Sequence, residues 1–194
     1  VSSTLEPADT DLLVGLTRGD AQAATTLWNR HASDVLAFAR AVLGGRGDAE
    51  DALQEVFFSL LRLAPARAAE VRNVRSLLLT SARNVCLNRL VEARRRAGRE
   101  HRAARAEPAL GVGPDTELAS ALHRLPRRVR EAVVLRSVLG LSTDEAARAC
   151  GVSRSALAER HARGLAMLRE QLGCEEKGAV EQATPAGVAG RRVP

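Results

Sequence analysis

The chain has 194 residues and a formal charge of +6, a length that suits one ordinary domain or two small ones. Aromatics are only 2% of it, with no Tyr, three Phe and one Trp, and the apolar residues are mostly Ala, Leu and Val; this favours small helical bundles over sheets. Charged residues make up 27% and are interleaved with apolar positions, which excludes a wholly disordered chain.

Lys177 is the single lysine, so nearly all the positive charge is Arg. Arg makes bidentate contacts to phosphate and guanine edges, although a GC-rich genome would also favour its codons. Cys86, Cys150 and Cys174 form no CxxC pair and stand in no ligand register with His31, His101, His123 or His161. They read as reduced thiols, and no metal or cofactor is expected. No apolar stretch approaches the ~20 residues that span a bilayer. The expected location is cytoplasmic, without membrane insertion.

Residues 1–8 are polar and contain Pro7, and a disordered start is expected. A helix runs from Asp9 to near Gly19, and Asp20 caps a long second helix. Leu27, His31, Val35, Phe38 and Val42 share one face of that helix, at spacings of ~3.6 residues. The run Gly44-Gly45-Arg46-Gly47 ends it. A third helix starts at Asp48 with a stripe of Leu53, Val56/Phe57 and Leu60/Leu61, and Pro65 breaks it. After a loop of Ala and Arg, a fourth helix runs from about Asn73 into the nineties, burying Val74, Leu78, Ala82 and Val85. Residues 9–96 thus form a first domain of four helices.

Residues 97–114 continue an Arg-rich run and then hold Pro108, Gly111, Gly113 and Pro114, which reads as a flexible linker. A second helical domain covers 115–172. In it a helix entered through Pro126 continues to Leu139, and Gly140 ends it. Ser142 and Glu145 stand in capping-box spacing; Gly151 turns the chain, and Ser153 caps a last helix to about Leu172. Residues 173–194 are rich in Gly, Ala, Glu and Pro and read as a disordered tail. The fold class is all-α, with two small helical domains on a flexible linker.

Ala147, Gly151 and Leu157 have the spacing of a helix-turn-helix: a small residue for close approach, a tight turn and a packing anchor. The second helix would expose Arg154, Ser155, Ala158, Glu159 and Arg163 to a major groove, with Arg160 on the same helix. Glu159 could accept from a cytosine amine or pair with Arg163 at i+4. In the first domain, Asp48, Asp51, Gln54 and Glu55 put acids and an amide on one helix opposite Leu53 and Phe57, which could equally be a solvated face. The fourth helix has the opposite sign. Arg72, Asn73, Arg75, Arg83, Asn84, Asn88 and Arg89 mix cations with amides, the chemistry that holds phosphates and reads base edges.

These pieces together resemble the extracytoplasmic-function sigma factors of bacterial RNA polymerase over residues 9–172. The resemblance rests on Gly19-Asp20, Ala49-Glu50-Asp51 with Gln54-Glu55 and Phe57, and Ala82-Arg83-Asn84. In the second domain it rests on Leu125-Pro126, Arg130-Glu131, Glu145-Ala146-Ala147, Gly151-Val152, and Arg160 with Arg163. It implies that the face of Asp48, Asp51, Gln54 and Glu55 docks on the clamp helices of the core polymerase β′ subunit. The 64–73 loop with Arg67 and the start of the fourth helix would take the unwound −10 strand of promoter DNA, and the helix from Arg154 would read the −35 element as duplex. An anti-sigma partner is also implied as a class, though no residue identifies one.

The chain departs from the family where aromatics usually stand at Leu61 and often at Leu77, and in having Ser155-Ala156 where Gly-Thr is frequent. Residues 62–76 contain no aromatic, so strand capture there falls to Arg, amides and backbone. The competing reading is a helix-turn-helix regulator that acts without polymerase, which leaves the acidic third helix unexplained. An enzyme is not expected: no Ser/His/Asp or Cys/His arrangement, phosphate loop or two-His metal spacing is present.

Overall fold

The computed structural model describes residues 7–100 and 117–173; the disordered start expected over residues 1–6, the linker expected over 101–114 and the disordered tail expected over 174–194 lie outside them. The described residues are helical, in the order α1 (Asp9–Thr17), α2 (Ala21–Leu43), α3 (Arg46–Leu61), α4 (Pro65–Glu70), α5 (Val74–Glu100), α6 (Glu117–Arg124), α7 (Arg127–Val133), α8 (Thr143–Cys150) and α9 (Arg154–Gln171). A π-helical turn, Val134–Val138, continues α7. None of these helices is long and apolar enough to cross a membrane.

Local chemistry sets most boundaries. Asp20 caps α2 by accepting from the amides of Gln22 at 2.8 Å and Ala23 at 3.1 Å, offsetting donors that a helix start leaves unpaired. Leu27, His31, Val35, Phe38 and Val42 are all buried along α2. His31 is tolerated there because its Nε2 lies 2.7 Å from Asp9 Oδ2, a carboxylate that also takes Arg30 at 2.7 Å. This clasp ties α1 to α2. Burial works to raise the Asp9 pKa, but the bonds from Arg30 and His31 outweigh it and hold the carboxyl below its usual range.

Several boundaries differ from the sequence reading. Helix α3 begins at Arg46 with Gly45 as its cap, so Asp48 lies in the first turn and Gly47 is inside the helix. Pro65 follows α3 but also opens the short helix α4, because its fixed φ and missing N–H suit a first helical position. The first helical group therefore contains five helices. On α5 the buried line is Val74, Leu78, Leu79, Ala82 and Cys86, with Val85 only half-buried. Leu61 is 53% exposed and leaves the α3 stripe. Helix α5 also runs four residues into the segment read as linker.

In the second group, Ser142 and Glu145 form the capping box: the Ser142 amide donates to Glu145 Oε2 at 2.9 Å and the Glu145 amide to Ser142 Oγ at 3.2 Å. Gly151 sits in the left-handed region at φ 63°, ψ 40°, and Val152 N–H closes back on the Ala147 carbonyl at 3.0 Å. The helix read as continuous to Leu139 widens after Val133, where Leu139 N–H reaches the Val134 carbonyl five residues back at 2.9 Å. The two groups share one apolar core. Buried residues from α1–α5 continue without interruption into Ala132, Val134, Leu135, Leu139, Leu141, Ala146, Ala149, Cys150 and Leu157. A satellite cluster of Ala121, Leu125, Val129, Val133 and Leu168 packs α6 and α7 on α9.

Candidate nucleic-acid interface

Helix α9 is capped by Ser153, whose Oγ accepts from Ala156 N–H at 3.2 Å. Leu157, Gly164 and Leu168 face inward, which leaves Arg154, Ser155, Ala158, Glu159 and Arg163 exposed and Arg160 half-buried. The exposed set faces solvent together, as a groove-reading face requires. Arg154 lies 3.7 Å from Asp144 on α8, with both side chains well exposed, so the guanidinium is free to exchange that weak pair for a phosphate or a base edge. Within the capping box, the hydrogen bonds from Ser142 hold Glu145 below the usual carboxylate range, with a further bond from Asn73.

The cation and amide set of the first group does not form one patch. Arg67 and Arg72 are exposed around α4, where Arg67 meets Glu70 at 3.3 Å. Asn73 precedes α5 and accepts from Ser76 N–H at 2.8 Å. Asn84 and Asn88 are exposed one turn apart on α5. Arg89 lies elsewhere, 3.0 Å from Glu55 and 3.8 Å from Asp51, and so belongs with the acidic face of α3. On that face Asp48, Asp51, Gln54 and Glu55 are all exposed.

Three of the set, Asn73 among them, point at the second helical group. Asn73 Nδ2 donates to Glu145 Oε1 at 3.0 Å. Arg75 bonds Asp34 at 2.7 Å and also the Leu139 carbonyl. Arg83 Nε donates to Glu131 Oε2 at 3.0 Å.

The chain matches the families described as Sigma-70 region 2 over residues 27–96 and Sigma-70, region 4 over residues 115–168. It is 33% identical over 175 residues to the ECF RNA polymerase sigma factor SigM of Mycobacterium tuberculosis, covering 87% of this chain and 86% of that one. The chain belongs to the extracytoplasmic-function sigma factors. It is also 33% identical over 161 residues to the RNA polymerase sigma factor CarQ of Myxococcus xanthus, covering 80% of this chain and 92% of that one. Among solved structures, CnrH in complex with the cytosolic domain of CnrY superposes with a TM-score of 0.63 at 27% identity, covering 88% of this chain and 100% of that one. The sigma factor RpoE in complex with the anti-sigma factor NepR from Bartonella quintana shares the fold, with a TM-score of 0.60 at 24% identity over 78% of this chain and 98% of that one.

Two features of this sigma factor escaped the sequence reading. Glu131 is an acid that is only 1% exposed; in the sequence it is one acid in a run of Arg and Val, and only the fold shows Arg83 reaching it from the first helical group. The second is an apolar hollow of about 330 Å³ lined by Leu16, Ala24, Trp28, Phe57, Phe58 and Leu61, with Gln54 at its edge. Trp28 and Phe57 stack obliquely there, centroids 4.7 Å apart, and Phe58 is 57% exposed. Phe58 stands beside the predicted stripe positions Val56/Phe57, so its outward direction could have been read from the helical period.

Proposed function

We propose that this sigma factor binds core RNA polymerase through Asp48, Asp51, Gln54 and Glu55 and directs promoter-specific initiation. In this reading residues 9–96 form the domain that docks and takes the −10 strand, using Arg67, Arg72, Asn73, Arg75, Arg83, Asn84, Asn88 and Arg89. Residues 115–172 form the domain that reads the −35 duplex through Arg154, Ser155, Ala158, Glu159, Arg160 and Arg163, and 97–114 joins the two. The protein does no covalent chemistry. It works in the cytoplasm beside the polymerase, and an anti-sigma protein is its regulator. The observation that carries the reading is the pairing of opposite surfaces on separate helices. An exposed acid-and-amide face on α3 suits a protein partner, and an exposed Arg-bearing face on the capped α9 suits duplex DNA. A regulator acting without polymerase would leave the α3 face idle.

The test is a pull-down with purified core polymerase. Asp51→Arg/Glu55→Arg should abolish binding that the wild type shows. Because both acids lie near Arg89, a triple variant that adds Arg89→Glu restores the intramolecular pairs while keeping α3 reversed, and it should also fail to bind. Retention of core by either folded variant, or no binding by the wild type, would sink the docking assignment.

A further inference from the structure

The apolar hollow between α1, α2 and α3 runs into a polar recess of about 270 Å³. Gln54 and Phe58 line both, and Asp51, Glu55, Arg62 and Arg89 complete the recess. Trp28, Phe58 and Leu61 are 39%, 57% and 53% exposed, and clustered apolar surface of this kind marks a binding site. Arg89 is shared between Asp51 at 3.8 Å and Glu55 at 3.0 Å, and the two acid side chains remain 66% and 52% exposed. A cation arriving from solvent therefore still finds open carboxylate oxygens beside an apolar hollow. The occupant that fits carries a branched apolar side chain next to a guanidinium.

The chain itself contains such a segment. Residues 188–193, Val-Ala-Gly-Arg-Arg-Val, place two guanidinium groups between two valines and include no acid. Residues 1–6 hold Glu6 and no cation, and Arg102 and Arg105 have no Val, Leu or aromatic residue within two positions. Val188 and Val193 stand 15 and 20 residues beyond Gly173. That length spans up to about 50–70 Å when extended, whereas a compact chain of about 150 residues is roughly 40 Å across. The segment can reach the hollow from the end of α9.

We propose that residues 188–193 seat on this face in the free chain, with Val193 in the hollow against Trp28 and Phe58, and Arg191 and Arg192 on Asp51 and Glu55. The contact is intramolecular and individually weak. A segment tethered at an effective concentration of about a millimolar fills a site of about 0.1–1 mM affinity in about 50–90% of molecules, which lowers access to the face by about 2- to 10-fold. The same face is the polymerase-docking surface of the reading above, so the segment and core polymerase compete for it; that consequence alone rests on the reading.

Trp28 is the single tryptophan, so its fluorescence reports on the hollow directly. The full chain, without polymerase, is quenched with acrylamide, which is uncharged. Arg191→Glu/Arg192→Glu should raise the quenching constant about 2- to 10-fold, as should Val193→Asp. Asp51→Asn/Glu55→Gln should do so from the receiving side. Salt at about 1 M, where the screening length is about 3 Å, should uncover Trp28 in the wild type and leave the charge-reversed chain unchanged. Equal quenching of the wild type and the charge-reversed chain would overturn the proposal. So would a wild-type constant that varies with protein concentration, which would make the occupant a second copy. A response to Leu5→Asp in place of the Arg191 and Arg192 reversal would make it residues 1–6, with the same consequence. Core polymerase is then titrated with both chains, and the reversed chain should bind about 2- to 10-fold more tightly. An uncovered Trp28 with unchanged core affinity would keep the seated segment and remove polymerase docking from this face.

Discussion

Gly164→Ala tests how closely α9 is held to the rest of its domain. A Cβ at position 164 would lie 2.3 Å from Val133 Cγ2 and 2.9 Å from Val129 Cγ1. Val133 is 2% exposed, and a β-branched side chain has little rotamer freedom, so α9 must move off α7 by about an ångström. Overpacking of this kind costs about 1–3 kcal/mol, and the severity of the 2.3 Å approach puts the cost in the upper half of that range. Alanine recovers about 1 kcal/mol through its better helix propensity. The net effect is about 1–2 kcal/mol of destabilisation, or a Tm lower by about 2–8 °C for a chain of this size. The control is Ala162→Gly on the exposed side of the same helix, which should cost about 1 kcal/mol by propensity alone. Opposite substitutions two residues apart should therefore both destabilise, an outcome propensity cannot produce. Thermal melts followed by helical circular dichroism decide it. A Gly164→Ala protein that melts at or above the wild type would refute the close-packing argument. Because α9 carries Arg154 and Arg163 on its outer face, the same shift should also weaken duplex binding.

Ser153→Ala removes the cap on α9 and should cost about 1 kcal/mol. Ser153→Asp, an equally good cap, should restore the melting temperature; equal melts for Ala and Asp would mean the cap contributes nothing. The second prediction concerns pH. His123 lies 2.6 Å from Arg130 Nη1 through its Nδ1, so the ring accepts and is neutral, and burial together with Arg130 holds its pKa below the usual 6.5. As the pH falls through about 6.5 the unfolded chain takes up this proton before the folded one does, so stability is full above that value and declines toward the lowered pKa. The urea midpoint should drop between pH 7.5 and 5.5. His123→Gln should reduce that drop without abolishing it, because burial and Arg136 lower His161 in the same direction. A midpoint equally pH-dependent in both proteins would remove His123 from the account.

Features that depend on a few neighbouring residues were legible in the sequence. Asp20, the Ser142–Glu145 box, Gly151 and Ser153 each act within three or four residues, and the structure forms all of them. The α2 stripe was legible because one period is repeated over more than four turns. Pro65 misled because one residue plays two parts, stopping α3 and starting α4, and the local pattern gives only the first. The outward face of α9 followed from Leu157 alone, since fixing one buried position fixes the rest by period. The fate of Arg75 and Arg83 was not legible. Their partners lie 64 and 48 residues away in sequence, and no periodicity encodes which acid or carbonyl meets which guanidinium across two packed groups.

The shortage of aromatics bears on how the proposed −10 face would hold a single strand. Single-strand binders gain roughly 1–3 kcal/mol for each base stacked on an aromatic, but residues 62–76 offer none, and the exposed rings Trp28 and Phe58 line the hollow beside the acidic α3 face. Under the proposed assignment, strand capture on α4 and α5 would therefore rest on guanidinium and amide donors to phosphate, whose contribution falls steeply with salt. Several of those donors already have acceptors within the chain. Glu131 and the Leu139 carbonyl occupy the two guanidinium groups nearest the second domain, and Glu145 occupies the amide that begins α5. If these donors hold the strand as proposed, each of these bonds must be exchanged for a phosphate contact, so strand affinity should be low and strongly salt-dependent.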